Sequence, residues 1–409
     1  MVRKKKLKTI YLNIKQYMDY NINISESLSS LFRFVEKEGF VGYDPYDYLN
    51  SPLPIVKAGK MAQAIAVQAG KLIPFNLRPI LGIKKGENPK GLGLMLHAYC
   101  NMYQATKDEK YLAQADYLYQ RLLALRSPGK EEYCWGYNFI WANPHCVHPK
   151  YMPSAVVSSF VGQGIYQYYL IKKDENIKMV LLSVGDYILN NLHTTETKDG
   201  LCLSYTEEEA DCCYNASLLG AEMLAIVYAL NGDDKLREFI KKCVYFVLAH
   251  QHEDGSWGYS IDVKTGKERL QIDFHQGFVL CSLDNIKTLL RIHDERLDSA
   301  IKRGLEYYRK IQFTDNGVSL WRIPKQYPVE IHNQAQGIIT FAKLSHYGSD
   351  YSEFAKVIAD WTIRNMRSNK GYFYYRKFKW YTIKTPYMRW SQAWMLLALS
   401  RLELERLKL

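Results

Sequence analysis

Acidic residues are scarce relative to basic ones in this 409-residue sequence: 42 Asp and Glu stand against 54 Lys and Arg, a formal net charge of +12. The imbalance argues against cationic partners and for anionic ones, namely nucleic acid, anionic lipid or acidic polysaccharide. Nucleic acid ranks last, because no zinc-finger, KH, RRM or helix-turn-helix pattern accompanies the charge. Long apolar runs are missing too. The basic start Met1-Val-Arg-Lys-Lys-Lys-Leu is followed not by a signal-peptide core but by a stretch broken at Asn13, Lys15, Gln16, Asp19 and Asn21, so a cytoplasmic protein is expected. Eight cysteines are spread through the chain, too thinly for a small disulfide scaffold, which suits a reducing compartment. No GxxxxGK[ST] or GxGxxG phosphate loop occurs. The fragments His145-Cys146-Val147-His148 and Cys212-Cys213 lack paired CxxC spacing or an HExxH. No metal and no other cofactor is expected.

What is present is a repeat. Four polar turns share one pattern, at Lys107-Asp108-Glu109-Lys110, Lys173-Asp174-Glu175-Asn176, Gly232-Asp233-Asp234-Lys235 and His293-Asp294-Glu295-Arg296, with a looser fifth at Ser349-Asp350. Their aspartates are 66, 59, 61 and 56 residues apart. A second marker keeps the same beat: Asp199-Gly200, Asp254-Gly255, Asn316-Gly317 and Asn369-Lys370-Gly371 each precede a short aromatic run, read as a small hairpin or extended arm. Self-similarity at a near-fixed period marks stacked supersecondary units.

Between the markers lie stretches of helical period. Those of mixed polarity, over 111–125, 177–192, 236–251, 297–311 and 354–367, read as an outer layer. Those rich in Gly, Ala and large apolar residues, over 91–104, 154–171, 214–230, 275–291, 333–345 and 390–402, read as six inner helices. The inner-to-outer turns are short and the return connections long, so every long connection emerges where inner helices begin, and that face holds the cleft. The expectation is an all-α fold, an (α/α)6 toroid of inner and outer helices with short β-hairpin arms on the cleft face. Residues 48–71 would partner the ring from the N-terminal side, 1–42 would form a basic and helical extension, and 43–409 a single toroid domain. An open solenoid is the alternative.

At the starts of the inner helices backbone N–H groups and helix dipoles favour anions such as a carboxylate. The residues gathered there are aromatic and polar: Trp135, Tyr137, Asn138 and Trp141; Glu207, Glu208, Asp211, Tyr214 and Asn215; Asp273, His275 and Gln276; Glu330, His332, Asn333 and Gln334; Tyr387, Arg389, Trp390 and Gln392. Aromatic faces cover the C–H faces of sugars while amides and charged groups hold the hydroxyls, so the cleft suits a saccharide. Each residue also has a plainer role open to it. A tyrosine can pack between layers, and an acid at a helix start can be an N-cap.

The stretches 42–52, 76–83, 88–91 and 134–139 resemble proteins of bacterial polysaccharide-biosynthesis clusters, and the likeness spans nearly the whole chain. That family often carries the label delta-aminolevulinic acid dehydratase, whose Schiff-base β/α barrel is incompatible with an all-α repeat. More remotely, through repeat pattern and segments such as Gly162-Gln163-Gly164-Ile165-Tyr166, the chain is similar to the helical domains of D-glucuronyl C5-epimerases, heparinase- or alginate-type polysaccharide lyases and unsaturated glucuronyl hydrolases. The resemblance implies an acidic, uronate-containing glycan or its lipid-linked precursor as partner, in cell-surface polysaccharide synthesis.

The leading expectation is therefore an enzyme that abstracts a proton beside a carboxylate, in the manner of a C5-epimerase or lyase. Tyr387, His275 or His332 would be the base, Tyr214 or Tyr137 a second proton donor, and Arg389, Asn333 or Asn215 the neutraliser. Trp135, Asn138, Gln276, Gln334 and Trp390 complete the expected binding surface. A hydrolase pairing two of Asp211, Asp273 and Glu330 is the second reading. A non-catalytic glycan-binding or assembly protein, peripheral on the membrane through Lys4-Lys5-Lys6 and the stretch 72–83, is the third.

Overall fold

The computed structural model describes residues 23–54, 59–142 and 147–408. Lys4–Lys6 and the His145-Cys146 part of the possible zinc fragment lie outside them. Helices α1 (23–37), α2 (Gly59–Gly70), α3 (Pro89–Thr106), α4 (Glu109–Ala124), α5 (Ala155–Lys172), α6 (Glu175–Asn191), α7 (Tyr214–Asn231), α8 (Asp234–Ala249), α9 (His275–Leu290), α10 (Glu295–Ile311), α11 (Ile331–Lys343), α12 (Tyr351–Met366) and α13 (Trp394–Lys408) follow in chain order. The odd-numbered helices from α3 to α13 form the inner ring, which closes where α13 packs on α3. The outer layer consists of α1 and the even-numbered helices from α4 to α12. This is the (α/α)6 toroid.

The acidic turns are helix starts. Asp108, Asp174, Asp233 and Asp294 sit at the N-caps of α4, α6, α8 and α10, where each carboxylate accepts from the backbone N–H two residues on. The residue before or near each of them, Lys107, Lys173, Gly232 or Arg291, ends the preceding inner helix in the left-handed region. One short stretch thus stops an inner helix and starts an outer one. The looser fifth turn differs for a visible reason: Asp350 makes no capping bond, and a 3-10 turn, Ser345–Tyr347, intervenes.

The glycine markers are contacts with the outer layer. Gly200, Gly255, Gly317 and Gly371 all have positive φ. A Cβ there would strike backbone of α8 at Lys242, α10 at Arg303, α12 at Ile358 and α1 at Ser30, respectively. The series assigns α1, not residues 48–71, to the sixth outer position. Residues 48–71 instead supply the end of a 3-10 turn, Asp47–Asn50, and α2 on the cleft side. The runs after Gly255, Gly317 and Gly371 are held by single bridges or by none. The arms form a little further along the chain, as hairpins Ser260–Asp262 with Lys267–Arg269 and Arg376–Lys377 with Thr382–Ile383.

Along the ring axis Phe160, Phe278 and Trp394 pack at centroid distances of 5.1 to 5.3 Å. This aromatic layer is the floor of the cleft. On its far side a second cavity of about 290 Å³ opens at the other mouth.

Candidate active site

The cleft has a volume of about 630 Å³ and is lined from the N-terminal ends of the inner helices and the connections before them. Of the residues singled out from the sequence, it brings together Tyr137, Trp141, Asn215, Asp273, His275, Glu330, His332, Asn333, Arg389 and Trp390.

His275 opens α9, and its Nδ1 lies 2.5 Å from Asp273 Oδ1, two residues back. Asp273 also accepts from Gln271 Nε2 at 2.9 Å and faces Arg322 at 3.6 Å. Burial alone would raise its carboxyl, but the His275 ring and backbone N–H, together with Arg322, outweigh burial and hold it below the usual carboxylate range. An ionised Asp273 fixes Nδ1 of His275 as a proton-bearing nitrogen, leaving Nε2 as the ring atom outside this bond.

His332 is the opposite case. It is 1% exposed, and neither ring nitrogen has a hydrogen-bond partner among the described residues. Its ring stacks on Phe274 at 4.0 Å and lies 4.4 Å from Trp394 and 4.8 Å from Trp390. Burial, then the nearby charges of Lys90, Arg389 and His275, push its pKa well below that of an ordinary histidine, so the ring is neutral. His275 packs against the same Phe274 at 4.2 Å. Two imidazoles, one backed by a carboxylate and one bare and neutral, thus share the same small volume.

The other charged groups divide into paired and unpaired. Glu330 accepts from Trp390 Nε1 at 2.7 Å, Trp321 Nε1 at 3.1 Å and Arg376 at 2.8 and 2.9 Å. Both its oxygens are occupied. Arg389 makes a bidentate pair with Asp44, at 2.6 and 2.8 Å. The fork expected to hold a substrate carboxylate is therefore filled by the protein's own carboxylate, with Tyr137 stacked over the guanidinium at 4.9 Å. Among the described residues Lys90 and Lys71 have no carboxylate partner within ion-pair distance. Lys90 lies 4.3 Å from the centre of the Phe160 ring, and burial and Arg389 push its amine well below the usual lysine range. Lys71 lies 4.3 Å over Tyr46, and its pKa is lowered to about 7, chiefly by burial.

The remaining sequence candidates serve the scaffold. Trp135 is fully buried and donates from Nε1 to Leu122 O at 2.8 Å. Asn138 bonds to Asn88 through its side chain. Gln276 accepts from Trp257 N and donates to Gly255 O, and Gln334 accepts from Ser319 N and donates to Gly317 O and Thr362. Asp211 accepts from Tyr205 N at 2.7 Å. Tyr214 packs between the layers against Phe246 and His250. Tyr387 is turned behind the cleft wall, where its hydroxyl accepts from Arg78 at 2.8 Å and burial raises its pKa.

Lys71, Lys90, Arg376, Phe274 and Trp321 are cleft residues that sequence reasoning did not single out. Only Lys90 carried a signal. Asn88-Pro89 is an N-cap with proline at the first helical position, which makes Lys90 a sixth helix-start residue.

No family model matches the chain, and no curated protein matches it in sequence. Solved structures do. Cellobiose 2-epimerase from Bacillus thermoamylovorans aligns with TM-score 0.62 and 14% identity over 78% of this chain and 88% of that one. A GH76 alpha-mannanase from Bacteroides thetaiotaomicron aligns with 0.58 and 12% over 78% and 87%. A D-mannose isomerase aligns with 0.59 and 12% over the same shares. At these identities the likeness establishes the fold, the (α/α)6 toroid that this chain shares with carbohydrate epimerases, isomerases and hydrolases.

Proposed function

We propose that this chain is a carbohydrate-modifying enzyme that removes a proton from a carbon beside a carbonyl or carboxylate and then either returns a proton to carbon, as an epimerase or isomerase does, or lets the neighbouring oxygen substituent leave to form an alkene, as a lyase does. The observation that carries the reading is the pair His275 and His332. His275 Nε2 takes the proton, and the ionised Asp273 stabilises the imidazolium that results. His332, neutral and without a hydrogen-bond partner among the described residues, is placed to hand a proton to the carbanion or to receive one from a sugar hydroxyl. The aromatic walls supply platforms for the saccharide, and water is kept from the floor by the Phe160–Phe278–Trp394 layer.

The substrate we favour is acidic and uronate-containing. Four arginines, Arg269, Arg322, Arg376 and Arg389, and two buried lysines whose pKa values burial lowers, Lys71 and Lys90, line the cleft with two carboxylates, Asp273 and Glu330. A role in cell-surface polysaccharide synthesis, with a lipid-linked glycan as the form of substrate, is consistent with this charge and with the sequence resemblance. So is a cytoplasmic protein made of one toroid domain, whose outer layer takes in α1 (23–37) as well as the helices within 43–409. Among the described residues no helix is long and apolar enough to cross a membrane.

Hydrolysis by paired carboxylates has less support. Asp211 is outside the cleft lining, and Glu330 is engaged by three fixed donors. Proton NMR in D2O with a panel of uronates, neutral aldoses and oligosaccharides tests the proposal. Exchange of a ring or C2 proton, or a new alkene proton, is the expected result. New reducing ends without exchange would establish a hydrolase, and line broadening without chemistry a binding protein.

A further inference from the structure

Among the described residues, the large apolar side chains that are more than half exposed are unevenly placed. All but Met179 belong to three segments that also supply the cleft wall. Helix α2 and the loop behind it contribute Gln68 and Lys71 to the wall and expose Leu72, Phe75 and Ile80, the last 81% exposed. The hairpin beginning at Arg376 exposes Trp380 to 85%, at the turn between its strands. Leu270, between the wall residues Arg269 and Gln271, is 72% exposed. Exposed apolar residues scattered singly need no explanation, but a concentration around one opening marks a contact surface.

Charge identifies the occupant. Residues 51–86 contain no Asp or Glu and six Lys or Arg; among the described ones Arg78 pairs with buried Asp47 and Lys85 pairs with Glu38. Residues 361–402 likewise contain no acid, and Lys377, Lys379 and Lys384 flank Trp380, with the Lys379 ammonium 4.9 Å over its ring. Leucine and isoleucine offer a glycan no hydrogen bonds. Aliphatic side chains beside an aromatic tip, in stretches of sequence with lysines and no acids of their own, match an anionic bilayer, whose acyl boundary takes the first and whose headgroups take the second.

We propose that the rim of the cleft rests on an anionic lipid surface, with the cleft mouth turned toward the bilayer. This goes beyond the reaction assigned to the cleft, because it draws on residues outside the reacting groups. A substrate carried at the membrane surface would then enter from the side the protein already faces.

Sedimentation of the full-length protein with vesicles of phosphatidylcholine alone, and with about a third phosphatidylglycerol, tests the proposal. Binding to the anionic vesicles, weakened by salt, is expected. The combined variant Leu72→Ser, Phe75→Ser, Ile80→Ser and the single variant Trp380→Ser should each weaken it about tenfold or more, with handling of a soluble saccharide unchanged. Lys379→Glu with Lys384→Glu should weaken binding to anionic vesicles specifically. Absence of binding to the anionic vesicles would overturn the proposal. So would variants that bind vesicles normally but lose turnover of a soluble saccharide, which would make these segments a lid. His275→Asn should bind vesicles like the parent, so a failure of the catalytic reading and a failure of this one give different results.

Discussion

Asp273 and Glu330 precede inner helices α9 and α11, yet their surroundings give them different work. Asp273 holds an imidazole, which can change protonation state. Glu330 holds two indole N–H groups and a guanidinium, none of which does. His275→Asn and His332→Asn should each lower solvent-proton exchange into substrate by about 10²–10⁴-fold while ligand binding, read by line broadening, persists. Asp273→Asn should lower it as well, since it removes the charge that stabilises the imidazolium. Glu330→Gln should instead act through the wall, by loosening Trp390, Trp321 and Arg376, so its main effect belongs in binding. Lys71 gives a pH test. Its pKa of about 7 in the folded protein is below the ordinary lysine value. Between these two values the unfolded chain holds a proton that the native state has released, and this residue's contribution to stability rises with pH across that window. Lys71→Met should be more stable than the parent near pH 6.5, with the gap narrowing toward pH 9.5 in denaturation midpoints. A gap that widens with pH would mean that the cleft stabilises the ammonium. None of this was legible at Lys71 or Arg389 beforehand. In a chain with 54 basic residues, neither burial nor the partner is written locally, and Asp44 reaches Arg389 across 345 positions.

Elements are where the sequence was most readable, because caps and tight turns are local. The aspartate turns and turn glycines set helix order before any packing is known. A third repeat escaped notice because its residue type changes. Ser158, Ser217, Gln276, Gln334 and Gln392, spaced by 59, 59, 58 and 58, each accept from the backbone of the chain entering the ring, at Trp135, Leu203, Trp257, Ser319 and Phe373. The three glutamines also return a bond from Nε2 to a backbone carbonyl. They tie each connection to the first turn of an inner helix, or at Gln392 to the π-helical turn Met388–Ala393 that leads into α13, and this position at the helix starts makes Gln276 and Gln334 look like cleft residues. Gln334→Ala strands the Ser319 N–H and the Gly317 carbonyl and should cost about 2–5 kcal/mol in chemical denaturation. Gly317→Ala makes a matching probe of the outer contact: φ is +82° and a Cβ would lie 2.9 Å from Ile358 backbone. Gly232→Ala, at φ +72° with nothing within 4 Å, carries only the left-handed penalty of about 1–2 kcal/mol. Gly317→Ala should be clearly the more damaging of the two.

At the scale of the whole molecule, closure of the ring depends on the segment with the least repeat character. Helix α1 carries neither an acidic turn nor a glycine marker, which is why the sequence reading set it aside as an extension. Long-range packing identifies its place. Ser25 Oγ donates to Glu403 on α13 at 3.1 Å, Tyr99 on α3 donates to Glu36 at 2.8 Å, and Phe32 packs on Tyr99 at a centroid distance of 4.7 Å. Since α3 and α13 are the first and last inner helices, α1 covers the seam at which the ring meets itself. Leu31, fully buried in the main core, should then behave as a core residue. Leu31→Ala is expected to cost about 2–5 kcal/mol. Deletion through residue 37 should expose the apolar backs of α3 and α13 and lower the unfolding temperature by far more than any surface change. Because the cleft floor is drawn from α5, α9 and α13, an open seam should also loosen the ring around His332 and weaken saccharide binding. A deletion that leaves both the unfolding temperature and binding intact would show that five helix pairs and α3 hold the ring without α1.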